Sequence, residues 1–165
     1  MNTSRSLHRT ALVSAVLAAG LLATATLTGD AAKATAPGPV AVTSGRGGSP
    51  TSAVDRAADF YGTYIDVLHD SGHGRLSAAL RGHYLTGNLR HNLARWEAAH
   101  HEDGVLRAKG VPVQWSVAYN DSGMGHCWSR ATLTWQDSGG RTHRTHLMVQ
   151  SDLATGLVSG IETVK

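Results

Sequence analysis

Chemistry in this chain would have to come from histidine, carboxylate, thiol or hydroxyl groups. The densest grouping of these is Glu97-Ala98-Ala99-His100, followed directly by His101, Glu102 and Asp103. A Glu-x-x-His spacing on a helix puts both side chains on one face, as a carboxylate-bridged di-metal site requires. Such a site draws ligands from two pairs of helices, and the chain has no second Glu-x-x-His and no His-Glu-x-x-His. The segment therefore reads as a polar helix end whose histidines sit favourably at the C-terminal dipole. His69 and His73 straddle another helix end, and His143 and His146 fall on opposite faces of one strand, so neither pair makes a chelate. No metal or other cofactor is expected.

The remaining nucleophile and base candidates are isolated. Cys127 follows His126, but neighbours on a strand point to opposite faces, so this histidine is badly placed to activate this thiol. As the only cysteine it excludes an internal disulfide, and it reads as a small core residue, with an intermolecular disulfide as the alternative. Gly-x-Ser-x-Gly is absent, and Gly45-Arg46-Gly47-Gly48 lacks the preceding strand a phosphate loop needs. Asp59 and Asp66 could act as bases, although acids between apolar helical positions are usually solvated.

The elements that must position these groups begin after a distinctive N-terminus. Arg5, His8 and Arg9 precede an apolar run from Ala11 to Leu27, the layout of a secretory signal, with small-x-small cleavage options ending at Ala25, Ala34 and Ala36. We place the signal peptide at residues 1–36, a Pro/Gly/Ser-rich flexible linker at 37–51 and a single domain at 52–165. An uncleaved anchor is the competing reading, disfavoured by Ser14, Gly20, Thr24 and Thr26 within the run. Arg5, Arg9 and Lys33 against Asp30 account for +2 of the formal +3, so removing the signal leaves +1. A nearly neutral chain lacks the dense Lys/Arg surface of nonspecific nucleic-acid binding, and no membrane contact is expected after cleavage. Nine of the ten histidines lie beyond the signal, so acidification would change the surface charge considerably.

Ser52-x-x-Asp55 resembles an acidic capping box, after which Val54, Ala57, Ala58, Tyr61, Ile65 and Leu68 recur at helical spacing until Asp70-Ser71-Gly72. A second helical segment, Arg75 to Leu85, offers Leu76, Ala79, Leu80 and Tyr84. A third offers Leu89, Leu93 and Trp96 and runs to His100. Alternation then takes over. Val113, Trp115, Val117 and Tyr119 predict one face of a strand, with a turn at Asp121-Ser122-Gly123. Cys127, Ser129, Ala131, Leu133 and Trp135 predict the inward face of a second. After a turn at Asp137-Ser138-Gly139-Gly140, residues 142–151 form a third strand with Leu147 and Val149 inward. Thr155-Gly156 leads into a fourth, 157–164. Helices first and an antiparallel meander second predict an α+β fold, with N-terminal helices packed on a curved four-stranded antiparallel sheet.

That order, with AADFYGTYIDVLHD at the start, RATLTWQDSGGRTHRTHLMVQ as the long hairpin and GLVSGIETV at the end, resembles the nuclear transport factor 2-like superfamily over Ala53 to Lys165. The resemblance implies a cystatin-like cone between helices and sheet, used for isomerase, dehydratase or cyclase chemistry in some members and for binding or dimerisation in many others. Its steroid isomerase-like enzymes pair a tyrosine from the early helices with an acid on the pocket side of the sheet. Tyr61 and Tyr64 resemble the tyrosine, but the expected inner strand faces carry no carboxylate. This departure counts against an enzyme. The aromatic residues Tyr61, Trp96, Trp115, Tyr119 and Trp135 could instead line an apolar pocket. Trp128, with Arg130, Thr132, His146 and Met148 on the opposite sheet face, suggests a contact patch of the kind that forms a homodimer in this superfamily. The expected function is a secreted, noncatalytic binding or interaction module for a small apolar ligand or a protein partner. The alternatives are an acid-base enzyme using Tyr61 or Tyr64 with Asp59 or Asp66, and a secreted enzyme inhibitor docking through residues 120–125.

Overall fold

The computed structural model describes residues 47–164; the expected signal segment, its cleavage positions and most of the expected linker lie outside the described residues. Ser52 starts the first helix. Its Oγ accepts the N–H of Asp55 at 3.2 Å, while the Asp55 carboxylate turns back to the N–H of Ser49 rather than closing a box on Ser52. Helix α1, Ala53–Ser71, buries Ala57, Phe60, Tyr61, Tyr64, Ile65 and Leu68 at the predicted three- and four-residue steps. It stops at Gly72, where a φ of +67° suits glycine.

Helix α2, Arg75–Tyr84, is rotated relative to expectation. Leu76 is 56% exposed and Ala79 is exposed, whereas Ser77, Leu80, Arg81 and Tyr84 face inward. The polar members of that stripe prevail because each finds a partner. The Ser77 hydroxyl accepts the Gly74 N–H and donates to the Gly74 carbonyl, and Arg81 reaches a buried cluster described below. Helix α3, Gly87–His100, is capped by Thr86 Oγ1 on the Leu89 N–H, buries Leu89 and Leu93, and ends at His101 in the left-handed region with φ +55°. The Thr86 N–H donates to the Val158 carbonyl at 2.9 Å, tying the α2–α3 junction to the last strand.

Strands β1 (Gln114–Gly123), β2 (His126–Gln136), β3 (Thr142–Asp152) and β4 (Val158–Thr163) form one antiparallel sheet in the order β1-β2-β3-β4. The three helices pack on this curved sheet, an α+β architecture, and Cys127, Ser129, Ala131, Leu133, Trp135, Leu147, Val149 and Ile161 are buried. Strand β1 departs from its predicted form at both ends. Val113 and Tyr119 are exposed, and only Trp115 and Val117 pack partly on the core. Asp121-Ser122-Gly123 is ladder rather than turn, because a bulge between Tyr119 and Asp121 takes up one residue and lets pairing continue to Gly123↔His126. The turn passes to Met124 and Gly125, at φ +50° and +79°, the pair of positive values that a type I′ two-residue hairpin turn requires.

Candidate functional site

A carboxylate does meet the first-helix tyrosines, from a loop rather than from the sheet. After α3 the chain folds over itself through an Asp103↔Ala108 bridge, which buries Asp103 so that 2% of its side chain is exposed. Its Oδ1 accepts the N–H groups of Val105 and Leu106, both at 2.8 Å. Its Oδ2 accepts the Tyr64 hydroxyl at 2.6 Å and Arg81 Nη2 at 2.9 Å. The Tyr64 oxygen also accepts Arg81 Nε and Nη2 at 2.9 and 2.6 Å, and Nη2 reaches Glu97 Oε1 at 2.7 Å. Glu97 Oε1 takes the Gly104 N–H at 2.8 Å as well. That approach needs glycine, since a Cβ at position 104 would lie 2.9 Å from the same Oε1 and 3.2 Å from Leu93 Cβ.

The electrostatics follow from burial and pairing. Burial pushes the Tyr64 hydroxyl well above the ordinary tyrosine range, with Asp103 adding and Arg81 opposing. Tyr61 is raised for the same leading reason, and its hydroxyl lies 3.4 Å from the Val105 carbonyl. For Arg81, burial disfavours the charge, but Glu97, Tyr64 and Asp103 outweigh it and hold the guanidinium above its usual range. Burial alone would raise Glu97; Arg81 and the Gly104 N–H bring it below the usual carboxylate range instead. Tyr61, Tyr64, Arg81 and Glu97 are thus each stabilised in one protonation state, the opposite of a group tuned to exchange a proton near neutrality. The cluster forms the back of a cleft of about 410 Å³, whose remaining walls are His73, His101, Glu102, Ala108, Lys109 and Gly110.

A second concavity lies where the same loop runs on into β1. Val111, Pro112, Val113, Gln114 and Trp115 face Ile65, Asp66 and His69 of α1 across a groove of about 510 Å³. Its floor is mostly apolar; Asp66 is exposed on the rim and His69 pairs with Asp70 at 2.9 Å.

The structure therefore separates the residues singled out from the sequence. Tyr64 joins Asp103, Tyr61 is buried beside it, Asp66 and Trp115 meet in the groove, and Asp59 is exposed on α1. The five aromatic residues do not share a pocket. Trp96 stacks on His100 at 4.1 Å with the Arg107 guanidinium 4.3 Å from its ring centre, and Trp135 donates to Thr145 Oγ1. Tyr119 is 58% exposed. The space between helices and sheet is taken up by Phe60, Tyr61, Tyr64, Leu93, Leu133 and Leu147 themselves. On the other sheet face Trp128, Thr132, His146 and Met148 are half-buried and Arg130 exposed. Glu97 does not act with His100, whose Nδ1 lies 2.8 Å from the Trp96 carbonyl, and among the described residues no group of three or more His, Cys, Asp or Glu is arranged to hold a metal ion. Among them, too, no helix is long and apolar enough to cross a membrane. Sequence reasoning missed Arg81 and Asp103, whose side-chain partners lie 16 to 39 residues away. The only local signal was an acid followed by glycine just past a helix end.

No protein-family model matches the chain, and no curated protein sequence matches it. A solved structure of a protein of unknown function from Bacteroides thetaiotaomicron is similar to it, at 18% identity and a TM-score of 0.48, over 67% of this chain and 88% of that one.

Proposed function

We propose that the chain is a secreted, noncatalytic binding module resembling nuclear transport factor 2-like domains, and that its ligand site is the groove between α1 and β1. One observation carries this reading. Trp115, the aromatic residue of the expected pocket that borders an open concavity, does so together with Ile65, Val111, Pro112 and Val113. A volume of about 510 Å³ lies within the range of small-molecule sites, which combine an apolar lining with a few polar groups. The rim carboxylate of Asp66 favours a ligand with an apolar body and a cationic end. The noncatalytic part is supported by Tyr64, whose oxygen donates to Asp103 and accepts twice from Arg81, so that it has no lone pair or proton to spare for a substrate.

The test is a titration of the full secreted chain with phenethylamine, followed by amide chemical shifts, with phenylacetate as the control of opposite charge. Saturable shifts confined to residues 65–69 and 111–115, stronger with the amine, are the expected result. Shifts absent there, or centred on Trp128 and Met148, overturn the assignment of the groove.

A further inference from the structure

A further concavity lies on the sheet face turned away from the helices. Two cross-strand rows build it, Gln114, Thr134 and Arg144 in one, Ser116, Thr132 and His146 in the other, each drawn in register from β1, β2 and β3. Residues directly opposite one another on antiparallel strands share a face, and these alternate with Leu133, Trp135 and Leu147, which are buried in the core. Strand spacing and rise make the rows a patch of about 10 Å by about 7 Å, beneath a cavity of about 410 Å³.

Its polar groups are short of internal partners. Arg144 is exposed and forms no ion pair among the described residues, and none of the described residues lining the cavity is a carboxylate. Thr134 is only 9% exposed, yet its hydroxyl makes no hydrogen bond among the described residues and borders the cavity. A hydroxyl so far withdrawn from water is costly to leave unbonded, and an incoming oxygen would fill that place. Only Thr132 and His146 are joined, Oγ1 to Nδ1 at 3.1 Å.

These features select a ligand. A guanidinium keeps its charge throughout the accessible pH range, so the unopposed Arg144 calls for an anion without any histidine being protonated. The hydroxyl and amide groups both donate and accept, which matches ligand hydroxyls better than an apolar body, and the cavity has room for more than the charged group alone. We propose that this concavity binds a small hydroxylated carboxylate of the sugar-acid class. The ligand's carboxylate accepts from the fork of Arg144, and its hydroxyls are shared among Gln114, Ser116, Thr132 and Thr134. The site is distinct from the groove between α1 and β1, with which it has Gln114 and Trp115 in common.

Glucuronate is the probe, with glucose as its neutral counterpart and acetate as the bare carboxylate, each titrated into the full chain at pH 7.5 and followed by amide shifts. Saturable shifts with glucuronate are expected at Ser116, Thr132, Thr134 and Arg144, none of which borders the groove. Glucose and acetate should each bind on the order of tenfold more weakly. Arg144→Met, at an exposed position, should weaken glucuronate on the order of tenfold without moving the thermal unfolding curve. Thr134→Val keeps the side chain's shape and removes its hydroxyl, and should weaken glucuronate about threefold. No saturable shift at these residues, glucose or acetate binding as tightly as glucuronate, or an undiminished affinity in Arg144→Met overturns the proposal. Because residues 65–69 and 111–113 lie outside this concavity, failure of the phenethylamine titration there bears on the groove alone.

Discussion

One loop lines two concavities of opposite character. Lys109 and Gly110 face the polar cleft, and Val111 to Trp115, which follow them directly, face the apolar groove. In the cleft Arg81 of α2, Glu97 of α3 and Asp103 of the loop satisfy one another and Tyr64 of α1 joins them through its hydroxyl, so its back wall is a structural tie between four segments as much as a surface. In the groove Val113 is 59% exposed and Trp115 is half-buried against the core, apolar surface that the proposed ligand would cover. The difference separates a rigidly specified tie from the groove to which we assign the proposed ligand. Substitutions at the back of the cleft should act on folding, those in the groove on binding.

The sharpest way to break that contrast is Arg81→Met. Removing the guanidinium leaves Asp103, with 2% of its side chain exposed, and Glu97 without their cation. Breaking a buried pair from one side costs about 3–5 kcal/mol, and urea unfolding followed by circular dichroism should register a loss of that order. A variant as stable as the parent would mean the cluster ties nothing together. Gly104→Ala comes next, at about 1–3 kcal/mol, because the new methyl group meets both Glu97 and Leu93 and either the Gly104 N–H bond or the packing must give. Tyr64→Phe should cost about 1–3 kcal/mol by leaving Arg81 Nε short of an acceptor. Tyr61→Phe, which loses only a 3.4 Å contact to the Val105 carbonyl, should cost less. That pair also separates the acid-base alternative from the binding reading. An enzyme using Tyr61 would lose turnover in Tyr61→Phe while keeping its stability.

The same contrast explains what could be read in the sequence. The apolar stripe of α1 and the inward residues of β2 and β3 were legible because burial of a regular element repeats at its own period, so Ala57, Tyr61, Ile65 and Leu68, or Cys127 through Trp135, identify themselves. The cluster was not, because its logic is pairwise and long-range. Asp103 looked like part of a polar helix end, and nothing in its local spacing marked Arg81, until the fold brought them within 2.9 Å. Leu76 misled for the same reason in reverse: hydrophobicity favoured burying it, and the hydrogen bonds of Ser77 and Arg81 oriented α2 the other way. In β1 the Asp-Ser-Gly segment has genuine turn chemistry, but one bulged residue moved the turn to Met124-Gly125. The groove was half legible, since Trp115 was expected to bind but its partners in α1 were not.

A smaller effect, with a definite sign, should appear in acid. Glu97 titrates below the usual carboxylate range in the folded chain, so it contributes stability that is present above its unfolded value, near 4.3 for a free glutamate, and is lost as the pH falls through its folded value. Asp137 and Asp152 are lowered in the same direction by hydrogen bonds in their exposed turns, chiefly from Arg141 and Thr155. The parent should therefore lose stability steadily between about pH 5 and 3. Glu97→Gln should be less stable than the parent at pH 7 and should lose less over that interval. Parallel pH profiles of the two proteins would mean that Arg81 does not stabilise the Glu97 charge.

The smallest expected stability change lies in the groove and tests its half of the comparison. Val113 is 59% exposed, and its backbone N–H, which donates to the Thr134 carbonyl, is unaffected by side-chain replacement. Val113→Ser should therefore leave the unfolding free energy within about 0.5 kcal/mol of the parent. It also removes apolar surface from the lip of the groove opposite Ile65, surface that a bound phenyl ring would cover. Losing about one methyl group's worth of contact should weaken phenethylamine roughly two- to fourfold, read from the shift titration. If affinity is unchanged while the amide of Trp115 still responds, the ligand rests on Trp115 and Ile65 alone and the lip can be redrawn. A loss of stability instead, without loss of affinity, would make Val113 part of the fold's own packing and remove the distinction between the two concavities.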